Sequence, residues 1–344
     1  MTRYEMAQIV AKAMAKGANV DKLAAEFADE LDSLGVRVAN LEKKADNVKV
    51  TGEVRYRYTD SELNGNEYND LRSRIWVNGQ INDDWSYTGM LENTQDFTED
   101  AGNEKTEFKR AYVEGKIGGL DLTAGRYGAF FANGNVYDAQ ADGAKLSYGD
   151  KVKVSAFAGK GTDEAGDGAA SNGNYAGGEI SAAMGENFSL NGGYVNFKDM
   201  GQVTGETETN VDNAIWYVGA DANFGDFTLS GMYLKGDKSE NDQDVKGVDD
   251  DGYTVGLSYK GAEASEAGSY GIWANYYDQG GQTYVAHTTD ANTFGNDGFK
   301  GYGVGVNYTF AKNIVGTVAY YDTENKLDSN EDDQIIWSDL TFTF

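Results

Sequence analysis

From residue 49 to residue 344 the side chains alternate with a period of two, segment after segment, and one face of each segment is apolar. Period two marks strands, because successive side chains of a pleated backbone point to opposite sides. In "VKVTGEVRYRYTD", Val50, Val54, Tyr56 and Tyr58 share one face, and Arg55 and Arg57 the other. "DLRSRIWVNG" sets Leu71, Ser73, Ile75 and Val77 against Arg72, Arg74 and Trp76. "GVGVNYTF" sets Val304, Val306, Tyr308 and Phe310 against Gly303, Gly305, Asn307 and Thr309. The pattern continues to the last residue, where Ile336, Leu340, Phe342 and Phe344 share a face broken only by Ser338. A frayed terminus gains nothing from a free aromatic, whereas a strand that closes a sheet does.

Sixteen segments read this way, from 50–59 to 332–344. Their connections alternate. "GG", "GD", "GEN" and "NFGD" are tight turns of hairpin residues, while "TDEAGDGAASNGN", "KSENDQDVKGVDD" and "GGQTYVAHTTDANTFGNDG" are long and polar. The second face of the strands is full of Gly, Ser, Thr, Asn and Arg. A sandwich interior wants a branched apolar face there. A barrel in lipid wants its apolar face outside and a polar lumen, and it must close because unpaired backbone is costly in a membrane. The expected fold is an all-β transmembrane barrel of about 16 antiparallel strands, with the strand at 332–344 pairing with 50–59.

Composition agrees. No proline interrupts the ladders, and no stretch is apolar enough for a helical span. A formal charge of −27 argues against nucleic acid, and the absence of Cys removes disulfides and thiolate metal sites. The only histidine, His287, lies in a polar stretch read as an outer loop, too little for a zinc site or a catalytic dyad. "GKGTDEAGDG" lacks the Lys-Ser/Thr of a phosphate loop, and the acidic runs lack EF-hand spacing. Neither an enzyme nor a cofactor is expected. No secretory signal is read at the start, so an exported chain would be mature or truncated.

The first 48 residues are different. "MTRYEMAQIVAKAMAKG" reads as a helix ending at Gly17, with Thr2 as its N-cap and Glu5 completing a capping box. Beyond it, Val20, Phe27, Leu34, Leu41 and Val48 recur every seven residues. Ala24, Leu31, Val38 and Ala45 follow four residues behind. Nothing nearby offers a helical partner, so the heptad predicts a self-associating coiled-coil stalk over 18–48, a rod of roughly 45 Å, in preference to an amphipathic helix packed on its own domain. The expected organisation is therefore a helix at 1–17, a stalk at 18–48 and a barrel at 49–344.

Two signatures carry a resemblance. The terminal Phe344 on an amphipathic strand resembles the recognition signal of outer-membrane porins. Thr2, Arg3 and Glu5, followed by Ala7, Ile9 and Val10, resemble the closing helix of a surface-layer homology (SLH) domain. Helix, heptad and barrel in this order resemble the OmpM/Mep45 type of porin of diderm Firmicutes such as Veillonella and Selenomonas. That resemblance implies an outer-membrane protein with its stalk in the periplasm and a homotrimeric assembly. It also implies an SLH domain that holds peptidoglycan, or its polyamine modification, through Thr2 and Arg3. Only the tail of such a domain is present, so that role is conditional on a complete one.

The barrel is expected to pass small hydrophilic solutes and ions by diffusion. Arg55, Arg57, Arg72 and Arg74 must face the lumen and form a basic wall patch, since arginine in midplane lipid costs about 2–4 kcal/mol. "GAFFANGNVYDAQ" (128–140) is apolar for a loop. It suits a constriction loop packed against the inner wall, with Phe130, Phe131 and Tyr137 as its apolar residues and Asp138 as its charge, and it would equally suit a subunit interface. The alternatives are a closed barrel that acts only as an anchor, and a sugar-specific channel with Trp76 and Trp337 facing inward.

Overall fold

A computed structural model describes residues 2–15, 21–33, 47–63, 65–98, 105–162, 173–204, 207–237 and 248–344. Sixteen antiparallel strands form one closed barrel in which every strand pairs with its neighbours in sequence. They are β1 (Val48–Ser61), β2 (Asn66–Gln80), β3 (Trp85–Asp96), β4 (Glu107–Ile117), β5 (Leu120–Phe131), β6 (Tyr137–Tyr148), β7 (Val152–Gly161) and β8 (Asn174–Ala183). The ring continues with β9 (Phe188–Thr204), β10 (Thr207–Phe224), β11 (Phe227–Gly236), β12 (Asp251–Lys260), β13 (Tyr270–Gly280), β14 (Gly298–Ala311), β15 (Ile314–Asn325) and β16 (Asp332–Thr343).

Closure is made by β1 and β16, in register from Glu53 opposite Thr343 to Ser61 opposite Ile335. Phe344 completes the seam. It exchanges backbone hydrogen bonds of 2.8 and 2.9 Å with Gly52. Its ring lies over that glycine, where an added Cβ would sit 2.3 Å from the ring's Cζ. The terminal aromatic therefore covers a position that only glycine leaves open.

Alternation sorts the two faces. On β10, Trp216 and Val218 are 45% and 50% exposed on the outside, while Ile215 and Tyr217 are buried inside. Outward aromatics gather near both ends of the strands. Tyr253–Tyr276 and Tyr302–Tyr320 pair at one end, with centroids 6.0 and 6.4 Å apart. Phe227–Tyr259 and Tyr308–Phe310 pair at the other, at 4.7 and 5.1 Å. Tyr253 and Tyr259 are six residues apart on β12, roughly 20 Å along a strand. An apolar band between aromatic girdles is the outer surface of a membrane barrel.

The N-terminal region departs from the expected stalk. Among the described residues there are two short helices, α1 (Arg3–Ala15) and α2 (Asp21–Glu26), and residues 28–33 are helical again after a turn at Phe27. The heptad residues Phe27 and Leu31 pack on Met6, Ala7 and Val10 of α1. Phe27 is thus buried and Leu31 half-buried within the chain, because α1 supplies the helical partner that the heptad reading lacked. Val48 opens β1 and is exposed, so it is not stalk core. Ala24 lies on α2. Val20, Leu34, Val38, Leu41 and Ala45 fall outside the described residues. Among the described residues no helix is long and apolar enough to cross a membrane.

Candidate functional site

The site is built by two segments that leave the wall for the lumen. The first is the end of the β5–β6 hairpin. Pairing of β4 with β5 stops at Ala111–Arg126, and pairing of β6 with β7 stops at Ala141–Gly161. The β5–β6 ladder nevertheless runs on to Phe131–Tyr137. Residues 127–140 therefore run on as a two-stranded tongue beyond the ladders of β4 and β7. Arg126 and Asp142 mark its base with two hydrogen bonds of 2.7 and 2.9 Å.

Apolar alternation explains where the tongue goes. Its face of Tyr127, Ala129, Phe131, Tyr137 and Ala139 is buried against inward residues of β7–β11. Phe131 stacks on Phe157 at 4.2 Å, and Tyr137 packs 5.7 Å from Phe197. The hydroxyls of Tyr127 and Tyr175 meet at 2.9 Å, so the burial leaves that pair satisfied. The other face holds Phe130, half exposed, and the exposed Asp138. Gln140 on that face accepts a hydrogen bond from Arg110 of β4 at 3.4 Å. The sequence places this segment in a loop between two strands. The structure extends both strands through it and shortens the bend to 132–136.

Sequence reading missed the second segment, residues 281–297 between β13 and β14, and assigned it to an outer loop. Gly281–Ala286 are buried in the lumen instead. Ala286 forms a parallel bridge with Tyr137, and the Asp138 amide donates to the Ala286 carbonyl at 2.8 Å. The Thr288 amide donates to the Gly134 carbonyl at 2.9 Å, and the Thr288 hydroxyl to Asp138 at 2.7 Å. The β5–β6 and β13–β14 connections stand half the ring apart, so these bonds join elements from opposite walls.

His287 anchors this segment. Its Nδ1 accepts the Thr289 amide at 2.9 Å, which places the proton on Nε2, donated to Gln279 Oε1 at 2.7 Å. Tyr277, Tyr284 and Phe299 surround the ring edge-on, at 5.8, 5.8 and 5.4 Å. That surround desolvates the imidazole and holds its pKa down at about 3. The residue is a neutral structural ligand of its own loop.

Arg55, Arg57, Arg72 and Arg74 lie together on β1 and β2, and all are threaded with acids. Arg57 donates to Asp70 at 2.9 Å, Arg72 to Glu53 at 2.8 Å and Arg74 to Glu92 at 2.5 Å. Arg55 faces Arg72 directly across the strands and comes no nearer than 3.9 Å to Asp70. The Nε atoms of Arg55 and Arg72 are buried without a hydrogen-bond partner among the described residues. Like charges opposed in a ladder repel, and Glu53 beside Arg72 and Asp70 beside Arg55 offset that repulsion. Asp290 of the second segment lies within the field of Arg55, Arg57 and Arg72. It is open to the lumen yet ringed by protein, and that desolvation raises its carboxyl pKa against the pull of the arginines. The patch is thus a mixed lattice of charge.

The remaining site residues serve other ends. Trp337 packs beside Ala291, Ala319 and Tyr321 under the second segment. Trp273, which the sequence left unassigned, also faces inward and covers Gly305. Thr2 and Glu5 form the expected capping box, with bonds of 3.2 and 2.6 Å. Arg3 binds Glu30 at 2.5 Å and lies 5.0 Å over the Phe27 ring, so it ties the helices together. Among the described residues no group of three or more His, Cys, Asp or Glu is arranged to hold a metal.

No family model matches the chain, and no curated protein does. Solved structures do. The trimer form of OmpT, an outer-membrane protein of Vibrio cholerae folded in vitro, matches with a TM-score of 0.54 and 17% identity, over 86% of this chain and 99% of that one. A second structure of in-vitro-folded OmpT matches with a TM-score of 0.57 and 18% identity, over 86% and 97%. A triple mutant of the Rhodopseudomonas blastica porin matches with a TM-score of 0.55 and 16% identity, over 86% and 100%. The chain shares its fold with bacterial outer-membrane porins.

Proposed function

We propose that this chain is an outer-membrane diffusion channel for small hydrophilic solutes and ions, narrowed at mid-lumen by the tongue and the 281–297 segment. The observation that carries the reading is the β5–β6 ladder, which outruns both of its wall pairings and turns into the barrel. A wall built only to seal a membrane has no use for such a tongue. The tongue sets Phe130 and Asp138 toward the lumen, while Arg55, Arg57, Arg72, Arg74 and Arg110 stand on β1, β2 and β4. Charges of both signs across a constriction create a transverse field that selects by size and charge. Outward apolar strands between aromatic girdles support placement in lipid.

The resemblance to OmpM/Mep45-type porins extends this reading. The barrels assemble as a homotrimer, the helical segment ahead of β1 stands in the periplasm, and a complete SLH domain tethers the membrane to peptidoglycan or its polyamine modification. The heptad beyond residue 33 supports assembly through the stalk.

A second reading, a closed barrel serving only as an anchor, draws on the dense packing of the two segments against each other. Liposome swelling with neutral solutes of graded size separates the two. Rates that fall with solute size support the channel, and absence of swelling with every solute supports the anchor.

A further inference from the structure

We infer that a cavity beneath the two inward segments is a binding site for a small, neutral, polyhydroxylated solute of hexose size. This rests on the diffusion reading and adds a solute class to it. The cavity has a volume of about 230 Å³, room for one small molecule. Its roof is formed by Asn133 and Asn135 from the bend of the tongue. Its floor is the inner face of β11–β13, through Ser230, Thr254 and Asn275, with the Tyr277 ring at its edge.

The chemistry of the lining selects the ligand. Amides and hydroxyls each offer donors and acceptors without charge, which suits the paired hydroxyls of a sugar. Among the described residues no lysine or arginine lines the cavity, and the one carboxylate, Asp221, already accepts a hydrogen bond from Ser189 at 3.1 Å. That lining offers an anion no cationic side chain. The arginine cluster stands elsewhere in the ring, on β1, β2 and β4, away from the β11–β13 floor of the cavity.

Two features show that the cavity is built. Ala132, Asn133 and Gly134 take φ of 56°, 53° and 81°, three successive left-handed residues. Such backbone persists where its surroundings hold it, and it clusters at ligand-binding positions. Here it places two asparagines over the cavity. In the floor, a Cβ on Gly256 would lie 2.6 Å from both Asn275 Oδ1 and Ser230 Oγ. Glycine at that point lets both polar groups border the same space.

The test is equilibrium dialysis of the full chain in detergent with radiolabelled glucose, and with glucuronate as a charged comparison. Saturable glucose binding at one site per chain is expected, with glucuronate excluded. Asn275→Ala is expected to weaken glucose binding by about tenfold or more, since lost hydroxyl recognition is strongly discriminating. Thr254→Val keeps the side-chain shape, removes one hydroxyl and gives the same direction should Asn275→Ala fail to fold. Absence of saturable binding, or equal binding by wild type and both variants, overturns the proposal. Binding is read without current, so the two readings fail separately. A protein that binds glucose but never conducts keeps the site and loses the channel. One that conducts without saturable binding keeps the channel and loses the site.

Discussion

The tongue and the 281–297 segment meet in the lumen, yet different forces hold them there. The tongue docks by apolar burial, with alternating aromatic and small residues against five strands of the wall. The second segment lends only Val285 and Ala286 to that apolar cluster, and hydrogen bonds and an aromatic box around one imidazole anchor the rest. Burial is roughly additive in area and tolerant of small shifts. A hydrogen-bonded anchor is directional, and it fails when one partner is lost. The tongue should therefore be the rigid half of the constriction and the second segment the half that yields.

Phe131→Ala breaks the contrast at its strongest point. It removes the ring stacked on Phe157 and should cost about 3–5 kcal/mol, read as a lower thermal midpoint, together with larger and noisier conductance. If Phe131→Ala leaves both unchanged, the tongue is not held by burial. Gln279→Ala should cost less, about 1–3 kcal/mol, because it strips His287 of its acceptor and the Asn135 carbonyl of a donor. Limited proteolysis should then cut within 281–297 before it cuts within 127–140. Cleavage in the reverse order contradicts the ranking.

Acid sharpens the comparison. His287 has its pKa lowered from 6.5 to about 3 in the folded loop, so the open loop binds a proton that the docked loop refuses. Its contribution to docking is complete above pH 6.5 and is lost as pH falls toward 3. Asp290, whose pKa is raised, works in the opposite sense and favours docking as it protonates. Protease sensitivity of the segment should rise between pH 6.5 and 4 in the wild type, and this rise should vanish in His287→Gln. Thr288→Val carries the smallest effect, about 1 kcal/mol or less, because its bond to Asp138 is exposed. A doubled proteolysis rate at 281–297 with an unchanged melting curve is the expected outcome.

The same contrast explains what the sequence disclosed. Period-two alternation is set by which face meets water, and it located all sixteen strands and the closing pair. Phe130, Phe131, Val136 and Tyr137 stood out because a solvated loop has no use for them. The 281–297 segment is rich in Gly, Thr, Asn and Asp, and its anchors are side-chain partners fixed only by the folded ring. A single histidine among polar residues carries no periodicity to read. That the four arginines share one face of neighbouring strands was legible in the alternation, but the acids beside them were not. Glu53, Asp70 and Glu92 become partners through strand register, which a one-residue slip would change. At the N-terminus the heptad was real as a pattern, but Phe27 and Leu31 found their partner in α1.

The most direct test is single-channel conductance of the purified protein in a planar bilayer, recorded across a salt gradient. An aqueous path past the two joined segments predicts stable, ohmic current steps. It also predicts a reversal potential that moves toward greater cation preference in Arg74→Gln. A bilayer that stays silent after insertion is verified would contradict the channel and show that the tongue and its partner close the barrel.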